Sequence, residues 1–203
     1  MSRIVKMVKY SDLDERPRAR EHVDIANLTL DIYPESRVFF AGDLRKQRTF
    51  IGVLEGYVRP LAGSITAASL LISSGSVISY LRRRKNRTIH TAAVSFLDNI
   101  GAYRFGSRRD IQDILATGGL LEYSYVRVSS LTEVEERALA IVLMMHSAAS
   151  CVVFSERDFN MLPDRGIQLG EELSVRFSDR TIVLTGATKP PPWFKPSQTV
   201  LIV

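Results

Sequence analysis

Residues 37–65, RVFFAGDLRKQRTFIGVLEGYVRPLAGSI, constrain the fold of this chain more than any other stretch. Val38, Phe39 and Phe40 form an apolar strand that runs through a Gly42-Asp43 turn into a helix. Phe50, Ile51, Val53, Leu54 and Tyr57 then recur at i, i+1, i+3, i+4 and i+7, which puts them on one helical face. Arg59-Pro60 stops the helix and Gly63 opens a short strand. Strand, tight loop and helix make the frame in which a phosphate-binding loop sits, because a helix N-terminus offers free backbone N–H groups to an anion.

The chain of 203 residues suits one domain with a single sizeable core. No apolar run reaches the length of a membrane span, and residues 1–22 mix both charges too densely for a secretory signal. One cysteine, Cys151, excludes an internal disulfide and fits a reducing cytosol. It lies in an apolar strand, where a thiol is core filler. His22, His90 and His146 have no catalytic motif around them, and no His/Cys spacing suits a metal.

Along the chain, residues 1–22 read as an irregular or short edge segment, 23–32 as a strand, and 64–80 as two short strands. Arg82, Arg83, Arg84, Lys85 and Arg87 place five cations in six positions, which reads either as a solvated loop or as a docking surface for an acidic membrane or a membrane-bound partner. No aromatic residue interleaves them for base stacking, which argues against nucleic acid. Helical spacing follows over 88–104 and 107–116, ended by Gly118-Gly119, with His90 at the start of the first as a surface or capping residue. Thr132 and Glu135 form a capping box at the head of a third helix. Met144 and Met145 read as core filler at its far end, and His146 as a helix-end residue. A strand is expected over 151–154, then an amphipathic helix through Ile167, Leu169, Leu173 and Phe177, and a buried strand over 181–185. The tail 187–203 carries a proline-rich extended piece, 189–196, that packs over the surface, and 198–203 could add a last strand.

The order helix, Arg59-Pro60, Gly63, strand resembles the first nucleotide-binding segment of ABC-transporter ATPases. Anchored there, the family's G-x-x-x-x-G-K-[ST] falls on Ala41, Lys46, Gln47 and Arg48, or in a one-residue shift on Gly42, Gln47, Arg48 and Thr49. Neither register keeps the second glycine, which lets the backbone approach phosphate, or the lysine, which neutralises its charge. Leu131, Thr132, Glu133, Val134 and Glu135, followed by ERALAIVLMMHSAASCVVFSE, resemble the signature helix running into the second nucleotide strand. That alignment puts Ser155 and Glu156 on the Walker-B pair, and Gly186 where the family has its switch histidine. The helix containing VSFLDNIGAY is similar to that of the capsule- and O-antigen-exporting branch.

The resemblance implies an α/β fold, a P-loop NTPase-like ABC nucleotide-binding domain with a small helical subdomain. The expected layout is one domain over 1–203, with a core of about 20–186 and a helical subdomain of about 88–130. It further implies a degenerate, cytoplasmic subunit at the inner face of the membrane, with Glu156 the one retained catalytic position. Its partner would be a polysaccharide-export permease or an active ATPase paralogue, and homodimerisation stays open. No cofactor or metal is expected. The acidic residues Glu133, Glu135 and Glu136 oppose phosphate at the signature helix. Two alternatives remain open. One is an active ATPase binding ATP and Mg²⁺ through Lys46 or Arg48 with Thr49, and the other is a regulatory scaffold that keeps only the fold. In the degenerate reading, Arg48 or Lys46 is expected to pair with Glu156 or with Asp43.

Overall fold

A computed structural model describes residues 5–7, 25, 30–56, 58, 65–67, 71–100, 108–162, 165–177 and 179–201. They fall into two compact units, Met1–Leu71, Ser150–Glu156 and Ser178–Val203 in one, Ile72–Ala149 and Arg157–Phe177 in the other.

The first unit contains β1 (Val5–Met7), β2 (Leu30–Ile32), β3 (Arg37–Ala41), α1 (Leu44–Leu54) and β4 (Ile65–Ala67), and its last residue, Leu71, opens β5 (Leu71–Ser73). It continues with β6 (Cys151–Ser155), β7 (Thr181–Gly186) and β8 (Gln198–Leu201). The larger sheet has the order β5-β6-β7-β3-β8, and β6, β7, β3 and β8 pair in parallel. Parallel strands buried on both faces read as continuous apolar runs, which is the composition of β3, β6 and β7. Alternation along β3 puts Val38 and Phe40 into a core with Phe50 and Val53 of α1. The Phe40 and Phe50 rings stack 3.8 Å apart at 6°. Cys151 lies in this core, and burial pushes its thiol up to about 12, so it stays protonated and packs as a small hydrophobe.

β1 corrects the reading of the N-terminal residues as edge or irregular chain. It is the centre strand of a small antiparallel sheet, β2-β1-β4, whose partners lie far along the chain. The strand read over 23–32 appears as β2 alone, with residues 23, 24 and 26–29 outside the described set, as are Tyr57, Arg59, Pro60 and Gly63. In the tail, Phe194 is buried, and Ser197 fastens the chain to Arg37 through its N–H at 2.8 Å and its hydroxyl at 3.0 Å. β8 follows, parallel to β3.

The second unit is helical, with α2 (Ser74–Arg83), α3 (Ile89–Asn99), α4 (Arg108–Thr117), α5 (Glu133–Met145), most of α6 (Glu156–Asn160) and α7 (Gly166–Arg176). α2 corrects the reading of 64–80 as strands only. β4 and β5 are there, but Ser73 caps a helix by accepting the Ser76 N–H at 3.1 Å, and Val77, Ile78 and Leu81 line its buried side. α5 is the central helix, buried almost all round from Ala138 to Met145. A helix apolar on every side belongs inside a unit, not on its surface. α3 ends at Asn99, short of the expected 104, and residues 101–107 are not described. On α7, Leu169 and Leu173 are buried as expected, but Ile167 is 65% exposed, because it lies off that face in the helix's first turn. His90 is half-buried, its ring 6.3 Å from that of Tyr125. No helix among the described residues is long and apolar enough to cross a membrane.

Candidate functional site

The turn from β3 into α1 is two residues long, Gly42 and Asp43. Several polar groups in and beside it are engaged within the chain. The Gly42 N–H donates to the Gly186 carbonyl at 3.1 Å. The Asp43 carboxylate accepts the Arg45 and Lys46 N–H groups, each at 2.9 Å, and its carbonyl accepts that of Gln47 at 2.9 Å. The buried Gln47 side chain donates Nε2–H to the Gly42 carbonyl at 2.8 Å, so the amide braces the turn from behind. An aspartate at this position supplies the negative charge that a helix N-terminus attracts. Asp43→Ala is expected to cost about 1 kcal/mol, the usual worth of such a cap. Urea unfolding of the variant checks it, and an unchanged midpoint would mean the cap contributes nothing.

Helix α1 begins at Leu44, so Lys46, Gln47, Arg48 and Thr49 lie within it, not in a loop ahead of it. Lys46 Nζ stands 3.9 Å from Asp43 Oδ2, which is the expected internal pairing in its Asp43 form. Arg48 is exposed and Thr49 half-buried. The Glu156 form of that expectation is not what is found. Glu156 lies beside Gly186, at the point where β6 gives way to α6. A β-carbon placed on Gly186 would overlap Glu156 Oε2 and stand 2.7 Å from the Phe39 ring. Ser155, half-buried, ends β6 in register with Thr185 of β7. Gly42, Gly186, Ser155 and Glu156 therefore gather at the carboxyl ends of three neighbouring parallel strands, the place where open α/β sheets bind ligands.

Solved structures of low identity share this architecture. An ATP-binding protein from Pyrococcus furiosus, described as that of an ABC transporter, superposes with a TM-score of 0.74 at 14% identity, over 98% of this chain and 97% of its own. The fold is that of an ABC-type nucleotide-binding domain. An inward-facing transporter described as of the metal-chelate ABC type matches with a TM-score of 0.57 at 13% identity, over 91% of this chain and 73% of its own. The archaeal ribosome recycling factor aABCE1, solved with the ribosomal stalk protein aP1, matches with 0.59 at 16% identity, and this chain spans only 36% of that one. No protein-family model matches the sequence, and no curated protein does.

The signature-like residues sit at the head of α5. Thr132 and Glu135 form the capping box as read: the Thr132 N–H donates to Glu135 at 2.7 Å and the Glu135 N–H to Thr132 Oγ1 at 3.3 Å. The Thr132 N–H bond is the main reason the Glu135 carboxyl is held below its ordinary range. Glu133 accepts from Arg137 Nη2 at 2.9 Å, which lowers its carboxyl as well. Leu131 is half-buried, and Val134 is exposed.

The basic run is not a free loop throughout. Arg82 and Arg83 belong to the last turn of α2. Arg82 grips Glu136, itself 8% exposed, through Nε–H bonds of 3.1 Å to both carboxylate oxygens and an Nη2–H bond of 2.7 Å. The Arg84 guanidinium lies 3.6 Å over the Tyr80 ring. Lys85 and Arg87 remain exposed. Two features escaped the sequence reading. The Asp43 cap was legible in principle, as an aspartate just ahead of an apolar-periodic run. The grip of Arg82 on Glu136 had no local signal, since 54 residues separate the two. Among the described residues, no group of three or more His, Cys, Asp or Glu could hold a metal ion.

Proposed function

We propose that this chain is a pseudo-ATPase, an ABC-type subunit that works without nucleotide or metal beside a membrane permease or an active paralogue. The observation that carries the reading is the internal use of the donors around the β3–α1 turn: Gly42 N–H on Gly186, Arg45 and Lys46 N–H on Asp43. A phosphate loop needs such N–H groups free and a lysine reaching past them. A nucleotide phosphate would have to displace a covalently attached carboxylate and accept its charge at close range. Gln47 or Arg48 in place of the lysine, Ser155 in place of the Walker-B aspartate, and Glu133-Val134 in place of signature glycines all weigh the same way. Glu156 keeps the position of the water-polarising carboxylate but lacks these partners. The residues at this site do not suit a triphosphate or Mg²⁺, and no step through either is assigned.

Within this reading the nearest branch is capsule or polysaccharide export, supported by the likeness of the VSFLDNIGAY segment, much of which lies in α3. The subunit would sit at the inner face of the membrane. Thermal unfolding with and without millimolar MgATP tests the core of the proposal. No shift is expected, whereas a site filled at 100 times its Kd adds about 2.7 kcal/mol of stability. A clear upward shift would favour the active reading, with Lys46 or Arg48 carrying phosphate charge and Thr49 the hydroxyl. Co-purification with an integral-membrane protein would separate a transport subunit from a scaffold.

A further inference from the structure

The five cations of the basic run divide into two groups once their partners are assigned. Arg82 is paired with Glu136, and Arg84 is held against the Tyr80 ring, which fixes its position but leaves its charge. Arg83, Lys85 and Arg87 are exposed and carry no ion pair among the described residues. The fold adds a fourth cation from elsewhere. Thr88 and Arg127 form an antiparallel bridge, Val128 N–H donates to the Arg87 carbonyl at 2.9 Å, and Ser129 N–H donates to the Lys85 carbonyl at 3.0 Å. These bonds bring the exposed Arg127 alongside Lys85 and Arg87. Two residues before it, Tyr125 is 57% exposed. Two nearby carboxylates are already paired with other cations. Glu136 is held by Arg82 and Glu133 by Arg137, whereas Glu135, bonded to Thr132, and the exposed Glu122 keep their negative charge and leave the four cations in excess by two.

We infer that Arg83, Lys85, Arg87 and Arg127, with Tyr125 beside them, form a docking surface for the anionic headgroups of a lipid bilayer. The inference goes beyond the pseudo-ATPase reading and does not require it, since the contact is made by this chain alone. Cations on long exposed stems, drawn from two adjoining segments, suit a diffuse layer of negative charge better than a shaped pocket. An amphipathic aromatic at the same edge suits the headgroup level of a membrane. Clustered Lys and Arg each add about fivefold to partitioning onto an anionic surface, and such attraction fades as salt shortens the Debye length. A single exposed aromatic offers no series of rings for stacking bases, which leaves nucleic acid less well matched.

Co-sedimentation of the full chain with vesicles tests this directly. The vesicles are phosphatidylcholine alone or phosphatidylcholine with about one third phosphatidylglycerol. The wild-type chain is expected to sediment with the anionic vesicles only, and to be released at about 1 M salt. Arg83→Gln, Lys85→Gln, Arg87→Gln and Arg127→Gln should each weaken binding about fivefold, and the four together more than about 100-fold. Exchanging the three arginines for lysine keeps the charge and should keep the binding. The single variants, checked by thermal melting, keep the test decisive even if the fourfold variant fails to fold. Absence of wild-type binding to anionic vesicles would overturn the proposal. So would single Gln variants that bind as well as wild type, or loss of binding in the lysine variant, which would point to a shaped acidic protein partner instead.

Discussion

Arg137→Met is expected to destabilise the helical unit by about 3–5 kcal/mol, the range seen when one partner of a buried ion pair is removed. Asp158 is 2% exposed, and its two carboxylate oxygens are served by Arg137 Nη1 and by the Ser74 hydroxyl, the latter at 2.5 Å. Arg137 reaches back with its other nitrogen to Glu133, 2.9 Å away. Burial works against the arginine's charge, but the bond to Glu133 and the charge of Asp158 outweigh it, so its pKa is raised. Methionine fills a similar volume and removes the cationic donor to the Asp158 carboxylate, while the Ser74 hydroxyl stays. Denaturant unfolding should show the loss, and Tm should fall on the order of 10 °C for a chain of this size. Arg137→Met combined with Asp158→Leu should recover much of it, since an apolar pair of similar volume removes the buried carboxylate along with its partner. A loss below about 1 kcal/mol in the single variant would mean that water or a neighbour solvates Asp158.

Gly186→His, which puts a histidine where the resemblance to ABC-transporter ATPases expects one, should cost more than about 3 kcal/mol, the upper end for ordinary overpacking. The first added carbon already overlaps Glu156 Oε2 and crowds Phe39, 2.7–2.8 Å from two ring atoms. The two neighbours differ in how they can yield. Glu156 offers the far end of a flexible side chain, which can swing aside. Phe39 is fully buried in the central sheet, and its ring has no free space to enter. Gly186→Ala should therefore cost about 1–3 kcal/mol, and a Glu156→Ala background should relieve only part of that. Urea titration of the three variants measures it. A histidine variant as stable as wild type would show that the β7 end is looser than its packing implies.

The parts that sequence determined are those whose signals are local. Val38 to Phe40, the Gly42-Asp43 turn and the apolar spacing from Phe50 to Leu54 specified β3 and α1, because strand and helix periods differ and a turn residue marks the change between them. Thr132 and Glu135 specified the start of α5 through a three-residue capping interaction. The apolar runs at Cys151 and Thr181 were readable as buried strands, since parallel strands covered on both faces carry no alternation. The stretch from Ser74 to Tyr80 was misread because serine, glycine and β-branched residues score as strand, while the Ser73 cap and the buried spacing of Val77, Ile78 and Leu81 make it helix.

Tertiary structure alone decided which charges and which backbone donors are used up. Arg82 and Glu136 are 54 residues apart, Arg137 and Asp158 21, and Arg37 and Ser197 160. The Gly42 N–H finds its acceptor at Gly186, on the strand that the sheet order places next to β3. A linear sequence shows that a cation or an N–H exists, but not whether a carboxylate or carbonyl stands within about 3 Å of it. That distance is set by chain reversals tens of residues long. It is also what separates Arg82, held by Glu136, from the cations beside it that have no carboxylate partner among the described residues.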